Sequence, residues 1–279
     1  MLRYIDAMRK FIACLFLCTG IASVNSVYAD DVYVAAATSL THVLKEIATQ
    51  FESETKHVVK LSFASSGNLA QQIIQGAPFE LFLSADESYV SLLHNSRLTD
   101  GSSDIYGTGR LVLFVPEGSD VLLGSDLSTL VRAIQTGQLK RLAIANPKHA
   151  PYGFIAKQAL ENAHIWQTVI PYLVFGKSAS QATQFALSGA VDAALIPYSL
   201  ALIPEVGNKG RFIMVSDALY TPLAQPMVLM KGAGNATREF RDFILGDEAL
   251  SIFQHYGLGE NNRSDISDLR QPELNQLNQ

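Results

Sequence analysis

The chain has 279 residues, which is long enough for one or two domains with a substantial hydrophobic core. Hydrophobic residues make up 48% of it and charged residues 17%, a balance that excludes a disordered or fibrous protein. The formal net charge of -5 argues against a nucleic-acid partner, because binding to phosphates requires clustered Lys and Arg side chains.

The first 29 residues have the pattern of a secretory signal peptide. Arg9 and Lys10 precede an apolar run at Phe11–Leu17, and small residues stand at Val27 and Ala29 before a plausible cleavage point. The apolar run is shorter than the ~20 residues that a membrane-spanning helix requires. We therefore expect residues 1–29 to be removed on secretion and the mature protein to be soluble.

Both cysteines, Cys14 and Cys18, lie within the expected signal peptide. The mature chain would then have no thiol, which excludes disulfides, thiol catalysis and Cys-ligated metal. Phe16 and Leu17 before Cys18 are not the small residues that precede a lipid-modified cysteine, and Cys14 comes too early in the apolar run. Removal of the segment takes the formal net charge to -7. The six histidines show no paired metal-ligand spacing, so no metal-cation site is expected.

Short β-rich segments then alternate with amphipathic helical segments. The first series has predicted strands at Val32–Ala36, Val58–Phe63 and Phe79–Leu83, with helices at Leu40–Phe51 and Leu69–Ile74. Alternation of this kind is typical of an α/β fold with a largely parallel sheet.

A second series follows the first. Strands are predicted at Leu111–Val115, Leu142–Ala145 and Leu173–Phe175, with helices at Phe154–Asn162 and Gln181–Leu187. Two consecutive series indicate two lobes with a cleft between them rather than one extended sheet.

The C-terminal part is predicted to return to the first lobe through the apolar run Met227–Met230 and one helix at Thr237–Phe253. A polar tail rich in Asn, Gln, Ser and Asp follows, which we expect to be disordered. The predicted division is lobe 1 at 30–108 plus 225–262, lobe 2 at 109–224, and the tail at 263–279.

Four strand-to-helix junctions carry small or hydroxyl-bearing residues. They span residues 35–41, 63–69, 146–153 and 176–180. Backbone N–H groups at a helix start lack intrahelical partners, and the helix dipole is positive there. One such junction is best explained as an N-cap. Two junctions from each lobe, however, could converge across a cleft and bind a small anion.

A site built only from hydrogen-bond donors also selects by protonation state. Hydrogen phosphate carries a proton that needs an acceptor, whereas sulfate, molybdate and tungstate do not. Roughly seven charge-assisted hydrogen bonds of ~1.5 to 3 kcal/mol each would offset much of the cost of dehydrating a dianion. We expect a preference for fully deprotonated oxyanions, provided that no carboxylate enters the pocket.

Other motifs favour no enzymatic chemistry. Gly176-Lys177-Ser178 resembles the end of a P-loop, but Pro171 stands where that motif needs its first glycine. The chain has no Gly-x-Ser-x-Gly nucleophile elbow. Asp86 could be a catalytic carboxylate, but a helix-cap or turn role is the better explanation.

Several motifs also occur together in one order. They are AAATSLT at 35–41, SFASSGNLAQQI at 62–73, GAPFELFLSAD at 76–86, NPKHAPYG at 146–153, SASQA at 178–182 and Tyr256-Gly257. Over residues 31–258 the chain resembles the molybdate-binding periplasmic proteins of ABC transporters, the ModA family. The resemblance implies a type II two-lobe periplasmic binding protein, each lobe a mixed sheet flanked by helices, with the ligand in the interlobe cleft.

The resemblance also implies the function and the site. The protein would deliver molybdate, and also tungstate, to a membrane permease. It would be a monomer and would have no cofactor and no catalytic role. The implied oxyanion-binding residues are Thr38, Ser39, Ser66, Tyr152, Ala179 and Tyr198. Ser39 and Ser66 would give hydroxyl and N–H donors, with Thr38 as a further donor, while Tyr152 and Ala179 would give backbone N–H groups.

Three alternatives stay open at this point. A one-residue gap in the resemblance decides whether Pro197 or Tyr198 lines the site. A receptor for sulfate or another oxyanion would have the same fold, because the sequence does not give the pocket radius. A secreted hydrolase or transferase that uses Ser66 or Asp86 is the alternative from a different class of protein.

Overall fold

The computed structural model describes residues 30–258, and two five-stranded sheets organise this part of the chain. The strands are β1 (Asp31–Ala37), β2 (Val58–Ala64), β3 (Leu81–Leu83), β4 (Thr99–Gly109), β5 (Leu111–Pro116), β6 (Leu142–Ala145), β7 (Leu173–Gly176), β8 (Ala193–Pro197), β9 (Gly210–Met214) and β10 (Leu223–Met230). The predicted signal peptide and polar tail lie outside the described residues.

The helices of the described residues flank the two sheets. They are α1 (Thr41–Thr55), α2 (Ser66–Ile74), α3 (Glu87–Asn95), α4 (Ser128–Gln135), α5 (Pro151–Asn162), α6 (Trp166–Val169), α7 (Ala179–Leu187), α8 (Tyr198–Ala201), α9 (Pro204–Gly207), α10 (Asn235–Ile244) and α11 (Asp247–His255). Short 3-10 turns lie at Thr38–Leu40, Ile170–Tyr172 and Asp217–Leu219. Between residues 30 and 258, no helix is long and apolar enough to cross a membrane.

Both sheets are mixed and have the same pattern. The first has the order β2-β1-β3-β10-β4, in which β1, β2 and β3 are parallel and β10 runs antiparallel to β3 and β4. The second has the order β7-β6-β8-β5-β9, in which β6, β7 and β8 are parallel and β5 runs antiparallel to β8 and β9. The prediction of an α/β fold with a mixed sheet in each lobe is therefore confirmed.

The chain crosses between the two sheets at two places. Only Arg110 separates β4 from β5, and residues 215–222 lead from β9 back to β10. Gly109 stands at the first crossing, where a Cβ atom would collide with the Gln225 side-chain amide and the Tyr152 hydroxyl. The crossing therefore needs glycine because the backbone passes close to polar side chains. The lobe limits given above stay a prediction.

The helical periodicity of α1 explains how it packs. Its buried side chains Val43, Leu44, Ile47 and Phe51 recur at the spacing of one helix face. Phe51 also meets Phe240 of α10, with ring centroids 4.9 Å apart. The C-terminal helices thus pack on the first sheet's side of the molecule.

The structure corrects one predicted helix and adds elements that the sequence patterns did not indicate. The segment Thr237–Phe253 forms two helices, α10 and α11, because the chain at Gly246 is extended (φ -76°, ψ 162°). The third strand is also shorter than predicted, since it begins at Leu81. Elements without a prediction are α3, α4, α6, α8, α9, β4, β8 and β9.

Candidate functional site

The four junctions singled out in the sequence meet at one cavity. They are the 3-10 turn Thr38–Leu40 after β1 and the starts of α2, α5 and α7, which follow β2, β6 and β7. Each junction lies at the carboxyl end of a parallel strand, where ligands bind in α/β sheets. The cavity is lined by Ala37, Thr38, Ser39, Ser65, Ser66, Ala150, Pro151, Tyr152 and Ala179.

The cavity is small and carries no formal charge. Its volume is about 10 Å³, room for roughly one sphere of water size. None of the lining residues is Asp, Glu, Lys, Arg or His. Hydroxyl groups, backbone groups and small apolar side chains therefore form its whole wall.

Two serines of the first lobe line this cavity, and their hydroxyl groups differ in their hydrogen-bond partners. Ser66 Oγ accepts a hydrogen bond from the Ala85 N–H at 3.0 Å, so its own proton is left to donate. Ser39 Oγ is buried and has no hydrogen-bond partner among the described residues. A buried hydroxyl without a partner costs about 1–3 kcal/mol, so Ser39 favours a ligand that accepts its proton.

The second lobe contributes the starts of α5 and α7. Tyr152 follows Pro151 at the first position of α5, and Ala179 is the first residue of α7. At these positions an N–H has no intrahelical acceptor. Among residues 30–258, neither N–H takes part in a backbone hydrogen bond outside the helices and strands. Both N–H groups are thus left for a ligand.

The Tyr152 side chain has a different environment from its N–H. The hydroxyl accepts a hydrogen bond from Gln225 Nε2 at 3.0 Å, next to the crossing at Gly109. Burial raises the pKa of Tyr152 well above its ordinary value, so the phenol stays neutral. The nearby Ser39 and Ser199 hydroxyls act in the opposite direction and lower this pKa, although Ser39 Oγ is not in hydrogen-bonding geometry with the phenol.

Five of the six predicted site residues line the cavity, and Tyr198 does not. The Tyr198 N–H donates to the Arg110 carbonyl at 2.9 Å, and the Arg110 guanidinium lies over its ring at 5.5 Å from the centroid. The next residue, Ser199, reaches the first lobe instead, where its Oγ donates to the Ser39 carbonyl at 3.0 Å. The ligand-binding role of all six residues stays a prediction.

Asp86 lies beside the cavity and not within it. It lines an adjoining groove of about 370 Å³, which shares Ala150 and Pro151 with the cavity wall. The carboxylate caps α3, where it accepts hydrogen bonds from Ser88 Oγ at 2.9 Å and the Tyr89 N–H at 3.4 Å. Burial raises its pKa. The geometry favours the helix-cap role over the catalytic one.

Sequence reasoning missed the residues that join the lobes around the cavity. Ser65 Oγ lies 3.1 Å from His149 Nδ1, and the Gly67 N–H donates to the His149 carbonyl at 3.0 Å. Ser180 and Ser199 bond to residues 142 and 160 positions away in the sequence. The sequence does show serines beside the predicted ligand positions, but it does not show which residues they bond to.

The described residues hold no cluster of three or more His, Cys, Asp or Glu side chains that could bind a metal ion. The chemistry that the cavity does offer is hydrogen-bond donation, from hydroxyls and helix N-termini, toward a small ligand rich in acceptors.

Two mixed sheets joined by two crossings, with helix starts facing a cavity between them, define a two-lobe solute-binding protein of the periplasmic type. Residues 32–259 match the family described as bacterial extracellular solute-binding protein. The molybdate-binding protein ModA of Rhodobacter capsulatus is 35% identical over 260 residues, 92% of this chain and 98% of the relative. The ModA of Escherichia coli K12 is 34% identical over 229 residues, which cover 80% of this chain and 87% of the relative.

Solved structures give the same result. The periplasmic molybdate-binding protein of Azotobacter vinelandii superposes with a TM-score of 0.75 at 27% identity, over 82% of this chain and 98% of that one. The sulfate-binding protein SubI of Mycobacterium tuberculosis has a TM-score of 0.70 at 15% identity, over 86% and 91%, which shows the fold alone. The chain therefore belongs to the ModA family of bacterial extracellular solute-binding proteins. The resemblance inferred from the motifs is confirmed.

Proposed function

We propose that this protein binds molybdate in the cavity at the four helix starts and delivers it to the permease of an ABC transporter. The observation that carries the proposal is the buried, unpartnered Ser39 hydroxyl in a wall that contains no charged side chain. The membership of the ModA family supports molybdate as the ligand.

A dianion in this cavity would have to exchange its hydration shell for protein donors. The candidates are the hydroxyls of Thr38, Ser39 and Ser66 and the N–H groups of Ser39, Ser66, Tyr152 and Ala179. Hydrogen bonds to a charged group contribute about 1.5–3 kcal/mol each. The helix dipoles add favourable potential without a counter-ion. No carboxylate in the wall opposes the ligand.

The hydroxyl groups support the expected discrimination against phosphate. Ser66 Oγ already accepts from the Ala85 N–H, and Thr38 Oγ1 accepts from the Ser180 N–H at 3.3 Å. Each hydroxyl thereby uses one of its two acceptor lone pairs within the protein and keeps its proton to donate to a ligand. A protonated oxyanion would place its O–H against other donors and lose affinity. Tungstate has the same charge and tetrahedral shape as molybdate, so we expect it to bind similarly.

The protein would act in the periplasm as a monomer, with no catalytic role. In the hinge motion that we propose, ligand binding shifts the population toward the closed lobes, which the permease would recognise. No observation favours the hydrolase alternative, because Asp86 caps a helix and Ser66 Oγ is bonded to a backbone N–H.

Calorimetric titration of the purified protein with molybdate, tungstate, sulfate and phosphate tests this proposal. We expect strong binding of molybdate and tungstate, weaker binding of sulfate and no measurable binding of phosphate. Sulfate affinity equal to that of molybdate would support the sulfate-receptor alternative instead. Absence of binding by molybdate would overturn the proposed function.

A further inference from the structure

Three hydrogen bonds link the lobes directly beside the cavity, and their donors, Ser180 and Ser199, do not line it. The Ser180 N–H donates to Thr38 Oγ1 at 3.3 Å, and Ser180 Oγ donates to the Thr38 carbonyl at 3.1 Å. Ser199 Oγ donates to the Ser39 carbonyl at 3.0 Å. Two serines of the second lobe thus hold two consecutive residues of the first lobe, both of which line the cavity.

These interlobe contacts are linked to the anion site because the residues that form them are next to, or the same as, residues that line the cavity. Ser180 is the second residue of α7, and its neighbour Ala179 is the residue whose N–H is left for the ligand. Ser39 offers its hydroxyl to the cavity while its carbonyl accepts from Ser199, which is 2% exposed. Movement of either serine away from Thr38–Ser39 would therefore separate the two walls of the anion site.

A second pair of contacts marks how closely the lobes approach. The His149 carbonyl accepts from the Gly67 N–H, and a Cβ atom at Gly67 would lie 2.8 Å from that oxygen. A side chain at Gly67 would thus hold the lobes apart at the start of α2. The structure is a state in which the two lobes are in direct polar contact.

We propose that Ser180 and Ser199 are positioning residues that set anion affinity by stabilising the closed arrangement of the lobes, without contacting the ligand. The proposal rests on the proposed anion-binding function. The three bonds can form only when the lobes meet, so they favour closure whether or not an anion is bound. Apparent affinity scales with the population of the competent state, so loss of the Ser180 and Ser199 hydroxyl bonds lowers affinity for every anion by one factor, while the backbone bond from the Ser180 N–H is kept.

The test compares Ser180→Ala, Ser199→Ala and the double variant with a matched control, Ser188→Ala. Ser188 is the C-cap residue that follows the same helix α7, and its Oγ donates to the Phe185 carbonyl within the second lobe. From the ordinary contribution of neutral hydrogen bonds, we expect each single variant to weaken molybdate binding about 3- to 10-fold and the double variant about 10- to 100-fold. The control should bind as the unmodified protein does.

Two readouts separate a positioning role from a ligand contact or a folding defect. The ratio of molybdate to sulfate affinity should stay constant in the serine variants, because the cavity wall is unchanged. Thermal unfolding checks that each variant is folded. A changed ratio, or unchanged affinity in the double variant, would overturn the proposal.

Interlobe distance measures closure independently of which anion binds. Spin labels at Glu54→Cys on α1 and Gln135→Cys on α4 report it, since the sequence has no cysteine after Cys18. We expect the double variant to shift the distance distribution of the unliganded protein toward longer values, whereas Ser188→Ala should not. An identical distribution in the double variant would contradict the proposal. If the unmodified protein bound none of the four anions, the proposed function would fail, and this distance comparison would still decide the role of the two serines.

Discussion

The two walls of the cavity use different parts of the polypeptide. The first lobe lines the cavity with Ser39 and Ser66, whose side chains carry hydroxyl groups. The second lobe presents Tyr152 and Ala179, which offer backbone N–H groups at helix starts, while the Tyr152 hydroxyl is bonded to Gln225. Side-chain chemistry thus defines one wall, and helix placement defines the other.

The largest effect is expected from Ala179→Pro in the second wall. Proline fits the first position of a helix, and Ser178 before it is already extended (φ -155°, ψ 171°), so α7 should be retained. The substitution removes the N–H and places ring atoms where it pointed. We expect molybdate affinity measured by calorimetry to fall about 10- to 150-fold from the loss of one charge-assisted hydrogen bond of ~1.5–3 kcal/mol, and further because the ring atoms occupy ligand space.

Glu87→Pro is the matched control for that variant. Glu87 is the first residue of α3, and Asp86 before it has nearly the same conformation (φ -153°, ψ 169°), but Glu87 does not line the cavity. The molybdate affinity of the Glu87→Pro variant should match that of the unmodified protein. Equal loss of affinity in both proline variants would show that helix disruption, and not the Ala179 N–H, is responsible.

Ser39→Ala should weaken binding and leave folding intact. The Ser39 hydroxyl has no hydrogen-bond partner among the described residues, so alanine would remove a proposed ligand donor and no internal hydrogen bond. We expect about 10- to 100-fold weaker molybdate binding, with an equal or slightly higher free energy of unfolding in urea. A clear loss of stability would mean that the hydroxyl has a structural partner.

Ser66→Ala gives the contrasting result within the same wall. Ser66 Oγ accepts from the Ala85 N–H, so alanine leaves a buried donor without an acceptor. We expect a comparable loss of affinity together with a loss of about 1–3 kcal/mol in the free energy of unfolding. If both serine variants had the same stability, the distinction between a partnered and an unpartnered hydroxyl would be wrong.

Tyr152→Phe should have a small effect on binding. The backbone N–H is kept, so affinity should stay within about threefold, which corresponds to less than ~1 kcal/mol. The Gln225 side chain would lose its partner for Nε2 while its Oε1 already lacks one, so stability should fall by about 1–3 kcal/mol. A loss of affinity as large as that of Ser39→Ala would place the phenol in the site.

The smallest effect concerns Asp86 in the adjoining groove. Burial raises the pKa of Asp86 in the folded state above its ordinary value of 3.8, so the folded state binds the proton more tightly than the unfolded one. This contribution to stability is present below pH ~3.8 and is lost as pH rises through the folded-state pKa. Asp86→Asn can still cap α3. In this variant the free energy of unfolding, measured by urea titration, should no longer decline across that pH range, and molybdate affinity should be unchanged.

Much of the site could be predicted because its residues lie in local motifs. Ser39, Ser66, Tyr152 and Ala179 each occupy a helix start that the sequence marks by small or hydroxyl residues after a strand. The two lobes followed from two successive α/β series. These signals are contained within short segments, so they do not depend on the tertiary arrangement.

The rest depends on contacts between distant segments. Ser180 and Ser199 reach the first lobe across 142 and 160 residues, and no local pattern specifies such partners. Strand β4 was not predicted because its residues are largely polar and it pairs at a sheet edge with register shifts against β10. The break between α10 and α11 depends on Gly246, whose extended conformation overrides a continuous helical pattern.

Anomalous diffraction at the molybdenum edge, from crystals of the protein grown with molybdate, tests the central claim most directly. The account predicts one strong peak in the cavity, with its oxygens within hydrogen-bond distance of the Ser39 and Ser66 hydroxyls and the Tyr152 and Ala179 N–H groups. A peak in the groove beside Asp86, or one contacted by a Lys or Arg side chain, would contradict it.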